Sequence, residues 1–180
     1  MFERFTKAAR RAVLAAVHEA EDAQAPRVTR EHLLLALLTA GTRSAPILAA
    51  AGVTREVVTE AVAAIDRRGG LTDAETEALG ELGIDVSAIV DRIEEAHGEN
   101  ALAAGPRRRS RYSRSHVPFT TEAKSLLTAA LREAQDRRDR QLGDEHLLLA
   151  LAGGAGLAAE VLAEHGLSHH EVRARLAKAS

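Results

Sequence analysis

The chain has 180 residues, enough for one domain with a substantial apolar core or for two small domains that share one. Apolar residues make up 46% of it and aromatic residues only 2%, a balance that favours packed helices over a sheet. Cysteine is absent, which excludes disulfides, thiol catalysis and Cys-based zinc sites, and neither a signal segment nor an apolar run of membrane-spanning length is found. We therefore expect a cytoplasmic protein that does not enter the membrane.

Four helices are predicted in the first third of the chain. Thr6 stands at an N-cap position before a helix with an apolar stripe at i, i+3, i+4 and i+7. A second helix opens with Glu31-His32 and three leucines, which we expect to be buried, and Gly41 follows it. A short helix ends at Gly52. The last helix is amphipathic. The apolar positions that define these helices are Val13, Ala16, Val17, Ala20, Leu33, Leu34, Leu35, Leu48, Val58, Val62 and Ile65.

The same pattern returns near the end of the chain. A shift of 114 residues, without a gap, aligns residues 5–62 with residues 119–176 at 20 identities in 58 positions. It places Thr6 on Thr120 and Glu31-His32 on Glu145-His146, and it gives the stripe Leu127, Ala130, Leu131, Ala134 and the leucines 147–149. We predict an all-α fold, a tandem repeat of two four-helix units with pseudo-twofold symmetry.

Two further segments lie between the repeats. A shift of 31 residues places Leu48, Gly52, Val58 and Val62 on Leu79, Gly83, Ile89 and Ile93, so residues 72–97 read as a partial third copy with one or two inserted helices. Five arginines without an acid follow (Arg107, Arg108, Arg109, Arg111 and Arg114). The predicted division is repeat 1 at 1–68, the insert at 69–98, a flexible Arg-rich linker at 99–117 and repeat 2 at 118–180.

The doubled Phe-Thr-x-x-Ala, Glu-His-Leu-Leu-Leu and Leu-x-x-x-Gly motifs resemble the N-terminal repeat domain of Clp-family AAA+ unfoldases, and the opening MFERFTKAAR is similar to that family's start. The insert departs from the family pattern. The 180 residues also contain no G-x-x-x-x-G-K-[ST] phosphate loop, so we expect a stand-alone recognition module that needs no cofactor and does not hydrolyse ATP. The resemblance implies a non-enzymatic module that binds adaptors or substrates and modulates Clp-dependent proteolysis.

In one branch of the family such domains read phosphorylated arginine, and the resemblance places the ligand-binding residues at Thr6, Glu31, Thr120 and Glu145. A phosphoarginine receptor needs a carboxylate for the guanidinium and hydroxyl or N–H donors for the phosphoryl group. The same residues also suit simple helix capping. We predict one pocket from Thr6 with Glu31 and a cleaner one from Thr120 with Glu145, because Glu145 has no adjacent arginine to compete for its carboxylate. Beside them, Arg30 either pairs with Glu31 or reaches the phosphate, and Asp144 caps its own helix.

Other sequence features support weaker alternatives. His32 and His146 are read as hydrogen-bonded structural histidines, because a metal site needs more ligands than a Glu-His pair supplies. No nucleophile motif supports an enzyme. The remaining alternatives are an independent phosphoarginine reader and a weak nucleic-acid-associated protein that acts through residues 107–114. We expect a monomer with protein partners.

Overall fold

The computed structural model describes residues 4–39, 41–103 and 117–178, and these residues form ten helices and two isolated β-bridges. The helices are α1 (Lys7–Asp22), α2 (Arg30–Leu37), α3 (Ala45–Ala50), α4 (Arg55–Arg67), α5 (Asp73–Glu81), α6 (Val86–His97), α7 (Thr121–Asp136), α8 (Asp144–Ala152), α9 (Leu157–Glu164) and α10 (His169–Lys178). This confirms the all-α prediction, with four helices in each repeat and two in the insert.

The two repeats are built alike from their first residue onward. The 114-residue shift carries both ends of α1 onto the ends of α7, and the start of α2 onto the start of α8. Thr6 and Thr120 are the N-caps of α1 and α7, and their hydroxyls accept hydrogen bonds of 3.1 Å from the backbone N–H groups of Ala9 and Ala123. The predicted caps are confirmed.

Short extended segments tie the repeats to each other. Phe5 forms a parallel bridge with Leu142, and Val28 forms one with Phe119, so the segment before the first helix of each repeat pairs with the segment before the second helix of the other. The two bridges are related by the same 114-residue shift. The repeats are therefore interlocked by a reciprocal exchange of backbone hydrogen bonds.

One hydrophobic core runs through both repeats. The leucines of α2 and α8 lie at its centre, with Leu34 and Leu148 fully inaccessible to solvent, as predicted. The stripe of α1 is buried as expected. In α7, however, Leu127 and Leu131 are only partly buried and Leu126 takes the inward position, so the prediction for that stripe was only partly right.

The insert stands apart from this core. Helices α5 and α6 form a hairpin in which Val86 and Val90 are buried but do not join the common core. Arg67 of α4 binds the Glu94 carboxylate through Nε at 3.0 Å and Nη2 at 2.6 Å, and Arg68 pairs with Asp73. The insert is thus fastened to the end of repeat 1 chiefly by charged groups.

Some of the sequence predictions remain untested. The arginines of the linker lie outside the described residues, and the three boundaries between the four predicted segments stay predictions. Among the described helices no single one is long and apolar enough to cross a membrane. Helices α8 and α9 reach that length and composition only together, across a bend of 91°.

Candidate functional site

The first cluster of predicted site residues forms where α1 and α8 both begin. The backbone N–H of Thr6 donates to the carbonyl of Leu142 at 2.9 Å, three residues before Glu145. The connection between α2 and α3 (residues 41–44) closes the third side, because Arg43 reaches Glu145 and Ser44 reaches Asp144. We call this cluster site A.

The pairing of the four site residues differs from the prediction. Glu19 lies near the end of α1, and its pKa is lowered chiefly by its hydrogen bond with Arg55 and also by the nearby His32 of α2. The start of α2 therefore lies beside the end of α1. The 16 residues of α1 span about 24 Å, so Thr6 and Glu31 lie at opposite ends of that helix. Each threonine instead lies near the glutamate of the other repeat, because the repeats exchange their extended segments.

Site A is rich in cations and has no acid in the first turn of α1. Arg10 Nε donates to the carbonyl of Phe5 at 3.2 Å, and Arg11 Nη2 would lie 4.0 Å from a Cβ atom added at Gly41, so both guanidinium groups flank the site. A helix N-terminus with free N–H groups and neighbouring arginines favours an anionic ligand.

The carboxylate of site A is already paired. Arg43 Nη1 lies 3.3 Å from Glu145 Oε1; the Glu145 side chain is 12% exposed and that of Arg43 58%. The prediction that Glu145 has no competing arginine was therefore wrong. Sequence reasoning missed Arg43 because the equivalent residue of the second repeat is Leu157, so the repeat pattern gives no signal at this position.

Asp144 joins the repeats instead of capping its own helix. It is buried, and its Oδ2 accepts hydrogen bonds of 2.9 Å from both the backbone N–H and the hydroxyl of Ser44. The N-cap of α8 is Gly143. The predicted capping role of Asp144 was therefore wrong, because its carboxylate bonds Ser44 of the other repeat.

The second cluster, site B, repeats this arrangement around the starts of α7 and α2. Thr120 donates its N–H to the carbonyl of Val28 at 3.0 Å, three residues before Glu31. Arg30, the counterpart of Asp144, donates to the carbonyls of Glu122 and Ala155. Arg30 forms no ion pair with Glu31 in the described structure; its guanidinium lies at the start of α7, and its contact with a phosphate stays a prediction.

The charges of site B are arranged differently from those of site A. The Glu31 carboxylate forms no ion pair with any described residue. The pKa of Asp66 is raised chiefly by partial burial and also by the nearby charge of Glu31. The Glu122 carboxylate accepts hydrogen bonds from its own N–H and from Thr120, which lowers its pKa. Glu122 therefore occupies the start of α7, whereas the equivalent residue of α1 is Ala8.

The two sites therefore differ in which part is already occupied by a side chain of the protein. Site A offers the N–H groups at the start of α1, the Thr6 hydroxyl and cations to an anion, while its carboxylate is held by Arg43. Site B offers to a cation the carboxylate of Glu31, which pairs with no described residue, while Glu122 fills its anion-binding end. A ligand with one negative and one positive group can contact both parts of either site. In site A it competes with Arg43, and in site B it competes with Glu122.

The paired histidines are structural, as predicted. Nδ1 of His32 accepts from the N–H of Thr29 at 3.1 Å, and Nδ1 of His146 accepts from the N–H of Gly143 at 2.9 Å. Because Nδ1 accepts, Nε2 of His146 carries the proton and donates to Asp139 at 2.9 Å. Within the described ranges, no three His, Asp or Glu side chains converge as a metal site would require.

Comparison with known proteins agrees with this architecture. The family model of the Clp repeat N-terminal domain matches residues 4–70, 63–165 and 118–179. Chloroplastic chaperone protein ClpC1 of Oryza sativa subsp. japonica is 29% identical over 178 residues, and the match covers 98% of this chain and 15% of the rice protein. The chain thus spans a small part of the length of that relative.

Solved structures share the fold. The N-terminal domain of Hsp104 from Candida albicans superposes with a TM-score of 0.52 at 18% identity, covering 96% of this chain and 88% of that one. The N-terminal domain of the chaperone ClpD from Arabidopsis thaliana gives 0.50 at 19% identity, covering 97% and 92%. With two repeats matched by the family model and the same helical architecture, the chain belongs to the Clp repeat N-terminal domain family, the protein-binding modules of Clp systems.

Proposed function

We propose that this domain binds adaptors or substrate proteins of a Clp system, that phosphorylated arginine is one of the groups it recognises, and that it thereby modulates Clp-dependent proteolysis. The observation that carries the proposal is the composition of site A. A helix start without an acid, a threonine hydroxyl, flanking arginines and a glutamate converge there from both repeats.

Each part of a phosphoarginine side chain finds a group of opposite character in site A. The phosphoryl oxygens can accept from the N–H groups at the start of α1 and from the Thr6 hydroxyl, which keeps its proton while its oxygen caps the helix. The guanidinium can pair with Glu145 in place of Arg43. Arg43, the partner to be displaced, is 58% exposed and can return to water, so its displacement costs little.

We assign the stronger binding to site A rather than to site B. In site B a phosphoryl group must displace Glu122, whose carboxylate already accepts from its own N–H and from the Thr120 hydroxyl. In site A the group to be displaced is Arg43, whose side chain is more than half exposed. The sequence likewise favours the pocket that contains Glu145, although it pairs Glu145 with Thr120 and does so for another reason, the lack of an adjacent arginine.

Titration calorimetry with free phosphoarginine tests the proposal, with arginine and inorganic phosphate as control ligands. Thr6→Asp keeps an N-cap residue but brings a negative charge to the phosphoryl position, so the fold is preserved while binding is lost. Glu145→Gln should weaken binding by about ten- to a hundredfold. The matched changes in site B, Thr120→Asp and Glu31→Gln, should have a smaller effect. Equal binding by the wild type and Thr6→Asp would refute the assignment.

The link to proteolysis needs a separate measurement. The tagged domain is used to capture proteins from a lysate of its own cells, with Thr6→Asp in parallel. Recovery of Clp subunits or arginine-phosphorylated proteins by the wild type alone supports the proposal. Complexes that disappear after nuclease treatment would instead favour the nucleic-acid alternative, which depends on residues 107–114.

A further inference from the structure

The insert carries an unusual concentration of exposed apolar side chains. Four large hydrophobic residues are exposed in the described part of the chain, and three of them, Leu82, Ile84 and Ile89, lie at the tip of the α5–α6 hairpin. Their exposed fractions are 77%, 41% and 47%. A groove of about 380 Å³ opens beside Ile84, between the end of α5 and the start of α6. Exposed apolar patches of this kind mark binding surfaces.

The repeat explains why these side chains are uncovered. Under the 31-residue shift, Ile84 corresponds to Val53 and Ile89 to Val58, both of which are fully buried in repeat 1. There, α4 packs against α2 and α9. The hairpin copies only the second half of a repeat, so it keeps the inward-facing apolar residues but has no helices of its own to cover them.

The charge around the patch is strongly negative. Residues 72–99 contain nine acids and one arginine, a formal charge of −8. Several of these acids serve the hairpin itself, as Glu94 does with Arg67. Glu77, Glu81 and Glu95, by contrast, form no ion pair with any described residue. A second copy of the hairpin or an anionic lipid surface would be repelled by this field.

We infer that the tip of the α5–α6 hairpin, Leu82, Ile84 and Ile89 with the flanking Glu77 and Glu81, is a docking surface for an amphipathic polypeptide segment rich in lysine or arginine. The apolar stripe of such a segment takes the place of the missing helices against Ile84 and Ile89. Its basic flanks pair with Glu77 and Glu81, which form no ion pair with a described residue, and this pairing supplies selectivity and a salt-dependent association rate. This surface is separate from sites A and B.

Fluorescence anisotropy with a labelled peptide tests the inference on the full chain. The probe is a 14-residue amphipathic helix of leucine and lysine, and the control peptides replace lysine by glutamate or leucine by alanine. We expect saturable binding of the first peptide only, weakened by added salt. Leu82→Asp combined with Ile89→Asp should reduce its affinity by about tenfold or more. Glu77→Lys with Glu81→Lys should reduce both the affinity and its salt dependence.

A matched control lies elsewhere in the molecule. Leu14 on α1 is the fourth exposed large hydrophobic residue, so Leu14→Asp makes the same chemical change outside the hairpin and should leave binding unaltered. Circular dichroism shows whether each variant keeps its helices. Undiminished binding by the Leu82→Asp, Ile89→Asp variant would overturn the inference, as would equal binding of the glutamate peptide or self-association of the wild type through this hairpin.

Discussion

Arg43 of the first repeat lies on Glu145 of the second, with 3.3 Å between Nη1 and Oε1. Its guanidinium stands at the position where a ligand's guanidinium would pair with the same carboxylate. Because the Arg43 side chain is more than half exposed, solvent screens the pair, and its contribution is no more than about 1 kcal/mol. In the proposed binding mode Arg43 is therefore a weak internal competitor for Glu145.

Arg43→Ala should accordingly raise the affinity of site A for phosphoarginine, by up to about fivefold. Calorimetry on the wild type and the variant measures the change. Arg132→Ala removes an exposed arginine from α7 and serves as the control for the loss of one positive charge. A clear fall in affinity for Arg43→Ala would mean that Arg43 holds the phosphoryl group instead of competing for Glu145.

Asp144 and Arg30 occupy equivalent positions in the two repeats. Although their charges are opposite, each connects its own repeat to the other one. Each bonds the backbone of the loop that follows the second helix of the other repeat, Asp144 as an acceptor from Ser44 and Arg30 as a donor to Ala155. The first contact is buried and the second is exposed to solvent. The energetic consequences of losing them should therefore differ.

Asp144→Ala leaves the N–H and hydroxyl of Ser44 without their acceptor in a buried position, which should lower the free energy of unfolding by about 1–3 kcal/mol. Asp144→Asn keeps an acceptor oxygen and should recover part of the loss. Arg30→Ala should change the free energy by only about 0.5 kcal/mol. Urea denaturation followed by circular dichroism measures all three. Equal losses for Asp144→Ala and Arg30→Ala would contradict this account.

The fold was predictable because its elements are repeated. An amphipathic stripe after Thr6 and after Thr120, and a leucine run after each Glu-His, fix helix type and order without further information. The exchange of extended segments was not predictable. Phe5 pairs with Leu142 through backbone groups, and backbone pairing between distant segments leaves no residue pattern in a single sequence.

The candidate site was predictable only in part, for the same reason. The repeat identifies Thr6 and Glu145 as special positions, but their proximity follows from the exchange. The counterparts of Arg43 and Ser44 in the second repeat are Leu157 and Ala158, so the repeat pattern gives no signal at either position. They lie in a loop, where position depends on tertiary contacts rather than on helical periodicity.

The attachment of the insert should persist far into the acid range. The hydrogen bonds from Arg67 and from the N–H of Asn100 lower the pKa of Glu94 from 4.5 to about 2. A carboxyl whose pKa is lower in the folded state stabilises that state above its unfolded pKa, and the contribution is lost as the pH falls. The loss should therefore occur between about pH 4.5 and pH 2.

Carbon-detected NMR titration of Glu94 measures this directly, and the amide signals of α6 report whether the hairpin remains in place. In Arg67→Gln the midpoint should move up toward the ordinary glutamate value, because the principal hydrogen-bond donor is gone. A midpoint near 4.5 in the wild type would show that the Arg67 pair does not form in solution.

The core shared by the two repeats leads to a final prediction, which concerns the cooperativity of their unfolding. Leu148 of α8 is fully buried in a core that includes residues of both repeats, so Leu148→Ala should lower the free energy of unfolding by about 2–5 kcal/mol. Leu34→Ala, at the equivalent position of α2, should lower it by a similar amount.

Because the bridges at Phe5 and Val28 join the repeats, each substitution should lower the local stability of both repeats. Hydrogen exchange of α1–α2 and α7–α8 should then accelerate together in either variant, whereas Leu14→Ala, on the exposed face of α1, should leave it unchanged. Acceleration confined to the mutated repeat would mean that the two halves unfold independently and that the shared core contributes little to their coupling.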